Sequence, residues 1–96
     1  MLYKSDFEKR LAKKGYTLKD AALITDEFLK TLEEILVEKE SVSFYGFGVF
    51  DVRYHKEREA VALNTKEQIL IPSFYSPHFT AGKRLKREVK EGVIRD

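Results

Sequence analysis

A chain of 96 residues with a net charge of +2, 43% hydrophobic and 35% charged, is one domain, too apolar for a disordered tail and charged enough to stay dissolved. It has no cysteine, which excludes a disulfide framework, thiolate metal sites and a thiol nucleophile. No apolar run reaches the length of a membrane span or signal-peptide core, so a reducing cytoplasm is the expected location.

A lone chain of this size hides only about two thirds of the surface that its unfolded form exposes, which points to help from a second subunit. The charge is unevenly placed. Residues 1 to 50 hold 8 Lys and Arg against 9 Asp and Glu, and residues 51 to 96 hold 10 against 7. There are no internal repeats, low-complexity tracts or linkers.

Ser5 and Glu8 have the spacing of a capping box, so a first helix is expected from there to about Lys14, with Phe7 and Leu11 facing the core. Gly15 supplies the permissive backbone needed past a helix end. Thr17 and Asp20 repeat the capping signal and open a second helix. Its apolar positions Ala21, Ile24, Phe28, Leu32, Ile35 and Leu36 recur at spacings of three and four. Ala22 and Leu29 widen that stripe, which suggests more than one neighbour. No glycine precedes Ser41 to mark the end of this helix.

From Ser41 the period becomes two, with Val42 and Phe44 on one face and Ser43 and Tyr45 on the other. Gly46 and Gly48 flank Phe47 inside this run, where glycine weakens a strand unless the backbone must turn or approach something closely. A hairpin turn that lets Phe47 swing inward with Phe50 is the expected reading, with a bulge in one continuous strand as the alternative. Residues 53 to 72 then read as a second, longer hairpin with its polar turn at Asn64, Thr65 and Lys66 and an apolar stretch from Ala60 to Leu63. After Pro72 comes a short extended piece around Pro77. Thr80 is a candidate cap for a last helix from about Gly82 to Glu91, ended by Gly92. Lys83, Lys86, Arg87 and Lys90 share one side of that helix, and Leu85 and Val89 share the opposite side.

No catalytic constellation is present: there is no GxSxG, Walker loop or HExxH, and Glu33 and Glu34 point in adjacent directions and form no common site. His55 and His78, the only histidines, sit on different expected elements without HxxxH spacing or cysteine support. No metal, no cofactor and no enzymatic activity are expected.

GFGVF at 46 to 50, the Ile71-Pro72 pair and PHFTAGKRLK at 77 to 86 resemble, in order and spacing, the signatures of the bacterial HU and integration host factor family. The resemblance spans nearly the whole chain. It implies an α+β fold forming an intertwined dimer, identical or with a paralogue, from two N-terminal helices (residues 1 to 40), a three-stranded sheet with a long β-ribbon arm (41 to 80, arm 53 to 72) and a short C-terminal helix (81 to 92). Phe47, Phe50 and Phe79 would form the aromatic core, joined by Phe28, Leu32 and Phe44. The two arms would embrace double-stranded DNA in the minor groove and bend it, as the family is known to do.

The candidate DNA-binding residues are Arg53, His55, Lys56, Arg58, Leu63, Asn64, Thr65 and Lys66 on the arm, and Lys83, Arg84, Lys86, Arg87 and Lys90 on the last helix. Cations that neutralise phosphates release counterions and bind without reading sequence; the plain alternatives are a solvated helix face for the last group and cross-strand pairing with Glu57, Glu59 and Glu67 for the arm group. The arm departs from the family. Counted back from Ile71-Pro72, Leu63 stands where the family has its wedging proline, and Val61 and Ala62 stand at the arginine and asparagine positions. Four basic against three acidic groups leave residues 53 to 72 at +1, so weaker DNA binding than in other members is expected. Leu63 either enters a base step or packs against another arm, another protein or its own hairpin. The alternative function is a dimer of the same fold that has lost strong DNA affinity and serves as a protein-interaction or heterodimer subunit.

Overall fold

The computed structural model describes residues 1–92. The first helix, α1 (Lys4–Ala12), begins earlier than the Ser5–Glu8 spacing suggests, because the Asp6 carboxylate accepts the N–H of Tyr3 at 2.9 Å and so closes the first turn around Tyr3. Ser5 therefore lies inside the helix. The chain leaves it through Gly15 at φ +115°, and Thr17 caps α2 (Leu18–Val37), its hydroxyl accepting the N–H of Asp20 at 3.0 Å.

α2 ends without glycine. Lys39 takes the left-handed conformation at φ +66°, its N–H reaching the Leu36 carbonyl at 3.0 Å while the N–H of Glu40 reaches that of Ile35 at 3.1 Å. These two bonds close the helix in a Schellman motif. Ala21 and Thr25 form the buried seam of α2, and an ion pair between Lys4 and Asp26 ties α1 to α2. The hydrogen bond and the charge of Asp26 raise the pKa of Lys4 above the ordinary lysine value.

β1 (Val42–Phe44) turns back into β2 (Gly48–His55) through a β-turn in which the Phe44 carbonyl accepts the Phe47 N–H at 2.9 Å and Gly46 takes φ +77°. The pair Phe44↔Gly48 closes the hairpin, so the glycines serve a turn and not a bulge. The arm follows as β3 (Arg58–Val61) and β4 (Gln68–Ile71), antiparallel in the register Arg58↔Ile71 to Val61↔Gln68. Its tip is a four-residue turn, Leu63 to Lys66, closed by bonds between Ala62 and Glu67 and between Lys66 and Ala62, with Lys66 at φ +57°.

β5 (Phe74–Ala81) is a full eight-residue strand, longer than the short piece expected around Pro77. The sheet order β1-β2-β5 puts β5 on an edge, where a residue without an N–H is tolerated. Thr80 is in this strand and pairs with Val49, so it caps nothing. α3 (Lys83–Glu91) starts from Gly82 without a side-chain cap, and Gly92 at φ +61° ends it as expected.

Directly opposed residues of an antiparallel ladder share a face, and the register therefore sorts the three-stranded sheet. Val42, Phe44, Phe50, Val52 and Tyr54 face the helices with Phe79, Pro77 and Tyr75, and Phe28 of α2 meets Phe44 at 5.8 Å between ring centroids. Phe50 lies 4.6 Å from Phe79, and Phe47 reaches this cluster through Phe79 at 5.5 Å.

The core is incomplete within one chain. Ala21 is the only buried apolar residue described, while Phe28, Leu29 and Phe47 remain 50%, 49% and 41% exposed. The radius of gyration of 18.7 Å exceeds the value of about 12.5 Å expected for a compact domain of this length. The two facts have separate causes: the apolar stripe of α2 is only half covered, and the arm projects.

Candidate nucleic-acid interface

α3 gathers the densest positive charge. Lys83, Arg84, Lys86, Arg87 and Lys90 are all exposed, and among the described residues none of them is held in an ion pair. The apolar side of this helix is only partly covered: Leu85 is half-buried, but Val89 stays 72% exposed.

Three glycines position α3. The Phe47 carbonyl accepts the N–H of Gly82 at 2.8 Å, docking the β1–β2 turn onto the start of the helix. A Cβ on Gly48 would stand 2.5 Å from the Thr80 carbonyl, and one on Gly82 would stand 3.0 Å from that of Gly46. The side chain of Arg84 lies across Gly46, where a Cβ would approach its Nε to 2.8 Å. The cleft beside this junction is lined by Ser43, Tyr45, Lys83, Arg84 and Arg87.

The outward face of the sheet carries a second group. Arg53 and His55 project there from β2, opposite Ser76 and Phe74 of β5. His55 Nε2 lies 2.8 Å from Ser76 Oγ, and its ring stacks on Phe74 at 4.6 Å and 15°. Arg53 Nε lies 3.7 Å from Asp51 Oδ1, and His78 Nδ1 approaches the same oxygen at 3.7 Å from β5. Both distances are ionic proximity and exceed a well-formed hydrogen bond. Sequence reasoning missed Asp51 and His78. Counting back two from Arg53 puts Asp51 on its face, whereas His78 joins them only through the β2–β5 register.

The arm divides the remaining candidates. Lys56 lies at its root, in the break between the β2–β5 and β3–β4 ladders, and Arg58 opens β3. Leu63, Asn64, Thr65 and Lys66 form the tip, with Leu63 96% exposed. Val61 and Leu70 lie on the arm, 59% and 61% exposed. The predicted residues thus fall into an α3 group, a sheet-face group, Lys56 and Arg58 at the root of the arm, and a tip group, with no single cluster. Among the described residues no three potential metal ligands come together and no helix is long and apolar enough to cross a membrane.

Residues 2–90 match the model of the family described as bacterial DNA-binding protein. The DNA-binding protein HU of Thermotoga maritima is 42% identical over 88 residues, covering 91% of this chain and 98% of that protein. Integration host factor subunit beta of Nitrosomonas europaea is 32% identical, covering 93% and 87%. Among solved structures, an Anabaena HU–DNA cocrystal structure matches with a TM-score of 0.81 and 33% identity, covering 93% of this chain and 97% of that one. Family model, identity and backbone agree, and the chain belongs to the bacterial DNA-binding protein family of HU and integration host factor.

Proposed function

We propose that two copies of this chain, or this chain and a paralogue, form a dimer that binds double-stranded DNA with little sequence preference and bends it, as an architectural protein of the cytoplasmic nucleoid. The observation that carries this reading is the cationic face of α3, without ion pairs among the described residues and held by the Phe47–Gly82 junction, in a backbone that matches an HU–DNA cocrystal structure across 93% of its length. Lys83, Arg84, Lys86, Arg87 and Lys90 anchor phosphates, Arg53, His55, Lys56 and Arg58 extend that surface along the arm, and Leu63 with Asn64, Thr65 and Lys66 reaches the minor groove. Residues 1 to 40 supply the dimer interface with Phe28, Leu32, Phe44, Phe47, Phe50 and Phe79. The protein performs no covalent chemistry and needs no cofactor.

Fluorescence anisotropy with a labelled duplex at two or more salt concentrations tests this. Phosphate-driven binding falls steeply as salt rises. A dimer with no salt-sensitive binding at low salt would support a second reading, in which the arms dock protein partners and DNA affinity is lost. The exposed Val61, Leu63 and Leu70 favour that reading.

A further inference from the structure

Both histidines of the chain fall on one face of one ladder. Asp51↔His78, Arg53↔Ser76 and His55↔Phe74 are successive same-face pairs of β2 and β5, on the side turned away from the Phe44, Phe50 and Phe79 cluster. The charged and titratable groups of this face are few. β2 offers Asp51, Arg53 and His55. β5 offers His78 with the uncharged Ser76 and Thr80, whose hydroxyl lies 3.4 Å from His78 Nδ1. β1 adds Ser43, opposite Val49, and beyond these two α3 brings Lys83, Arg84 and Arg87 to the cleft that they line.

With both imidazoles neutral, one carboxylate cancels one guanidinium and the β2–β5 part of the face carries no net charge, beside the constant positive charge of α3. With both protonated it carries two positive charges per subunit. Among the described residues Asp51 Oδ1 has no hydrogen-bond partner and is contested by Arg53 and His78 at equal distance. A protonated His78 compensates Asp51 and leaves Arg53 for a phosphate. A protonated His55 donates from both ring nitrogens, so whichever tautomer the neutral ring holds, Nε2 donates to Ser76 and Nδ1 to an external acceptor once the ring is charged. Its stack on Phe74 persists as a cation–π contact.

Resting on the DNA-binding reading of this surface, we propose that His55 and His78 make attachment to DNA proton-linked, so that affinity rises on acidification. Imidazole is the side chain whose charge ordinarily changes between pH 5 and 8. The bridge to DNA is the counterion release that follows each further phosphate neutralised.

The test is anisotropy titration of the full chain with a duplex at pH 8, 7 and 6 and at several salt concentrations, with circular dichroism confirming the fold at each pH. Affinity should rise about tenfold or more on going from pH 8 to 6, and the slope of log K against log salt should steepen by about 0.9 for each further phosphate that the protein neutralises. His55→Gln and His78→Gln should each remove part of the rise, and the double variant should be flat. Asp51→Asn should tighten binding several-fold at pH 8 and shrink the contribution of His78. Salt-sensitive binding at pH 8 that does not change with pH overturns this inference alone, as does a double variant with the full pH response. Absence of binding at every pH overturns the DNA reading and this inference with it.

Discussion

The N–H of Gly82 donates to the carbonyl of Phe47 at 2.8 Å, joining the turn before β2 to the first residue before α3. The sheet and the most cationic helix are thereby fixed to each other by backbone, and the neighbouring glycines exist to permit the approach. At Gly48 an added Cβ meets the Thr80 backbone at 2.5 Å with φ at +153°, whereas at Gly46 it meets the flexible Arg84 side chain with φ at +77°.

Gly48→Ala is therefore expected to destabilise the protein by about 2–4 kcal/mol, from strain and overpacking against immovable backbone. Gly46→Ala should cost roughly 1–2 kcal/mol, the left-handed penalty alone, because Arg84 can move. Urea denaturation at one fixed protein concentration measures both. Equal costs for the two substitutions would contradict this account of the junction.

Phe79 touches both Phe47 and Phe50, yet stays 38% exposed in the single chain. If a second subunit covers it, Phe79→Ala removes a fully buried ring and should cost about 3–5 kcal/mol. The melting temperature of the unmodified protein should also rise with concentration, since folding and association are then one equilibrium. A melting temperature independent of concentration between about 2 and 200 μM would refute dimer-dependent folding.

Lys83 and Lys86 are exposed and free of ion pairs among the described residues. Replacing both with glutamine should weaken binding to all duplexes alike and reduce the salt slope by about 2 per subunit, if each contacts one phosphate. A loss confined to one sequence would instead assign them to base reading.

Local patterns made most elements legible in the sequence. The Thr17 cap, the stripe of α2, the GFG turn and the polar arm tip each depend on a few neighbouring residues, and each stands where its signal put it. The misses have long-range or competing causes. Asp6 outcompetes the Ser5–Glu8 pair for the start of α1 because it reaches the N–H of Tyr3. Thr80 has a capping side chain, but its backbone belongs to the ladder with Val49. The helix closes at Lys39 although its left-handed conformation is usually given to glycine. The cations of α3 were visible as one face, whereas the grouping of Asp51, Arg53 and His78 required a register that no local pattern contains.

Leu63 separates the two readings of the arm. It is 96% exposed at a tip closed by the Ala62 and Lys66 backbone, so Leu63→Ala removes almost no packing and should change stability by less than about 0.5 kcal/mol. If the side chain wedges a base step, its loss leaves unstacking, a cost of a few kcal/mol, uncompensated, and the DNA in the complex straightens. The phosphate anchors on α3 are untouched, so the salt slope should stay the same. Energy transfer between dyes at the two ends of a duplex reports the bend, and anisotropy on the same duplex reports the slope. A smaller bend with an unchanged slope assigns Leu63 to the groove. An unchanged bend leaves the apolar tip without a role on DNA and favours the protein-docking reading.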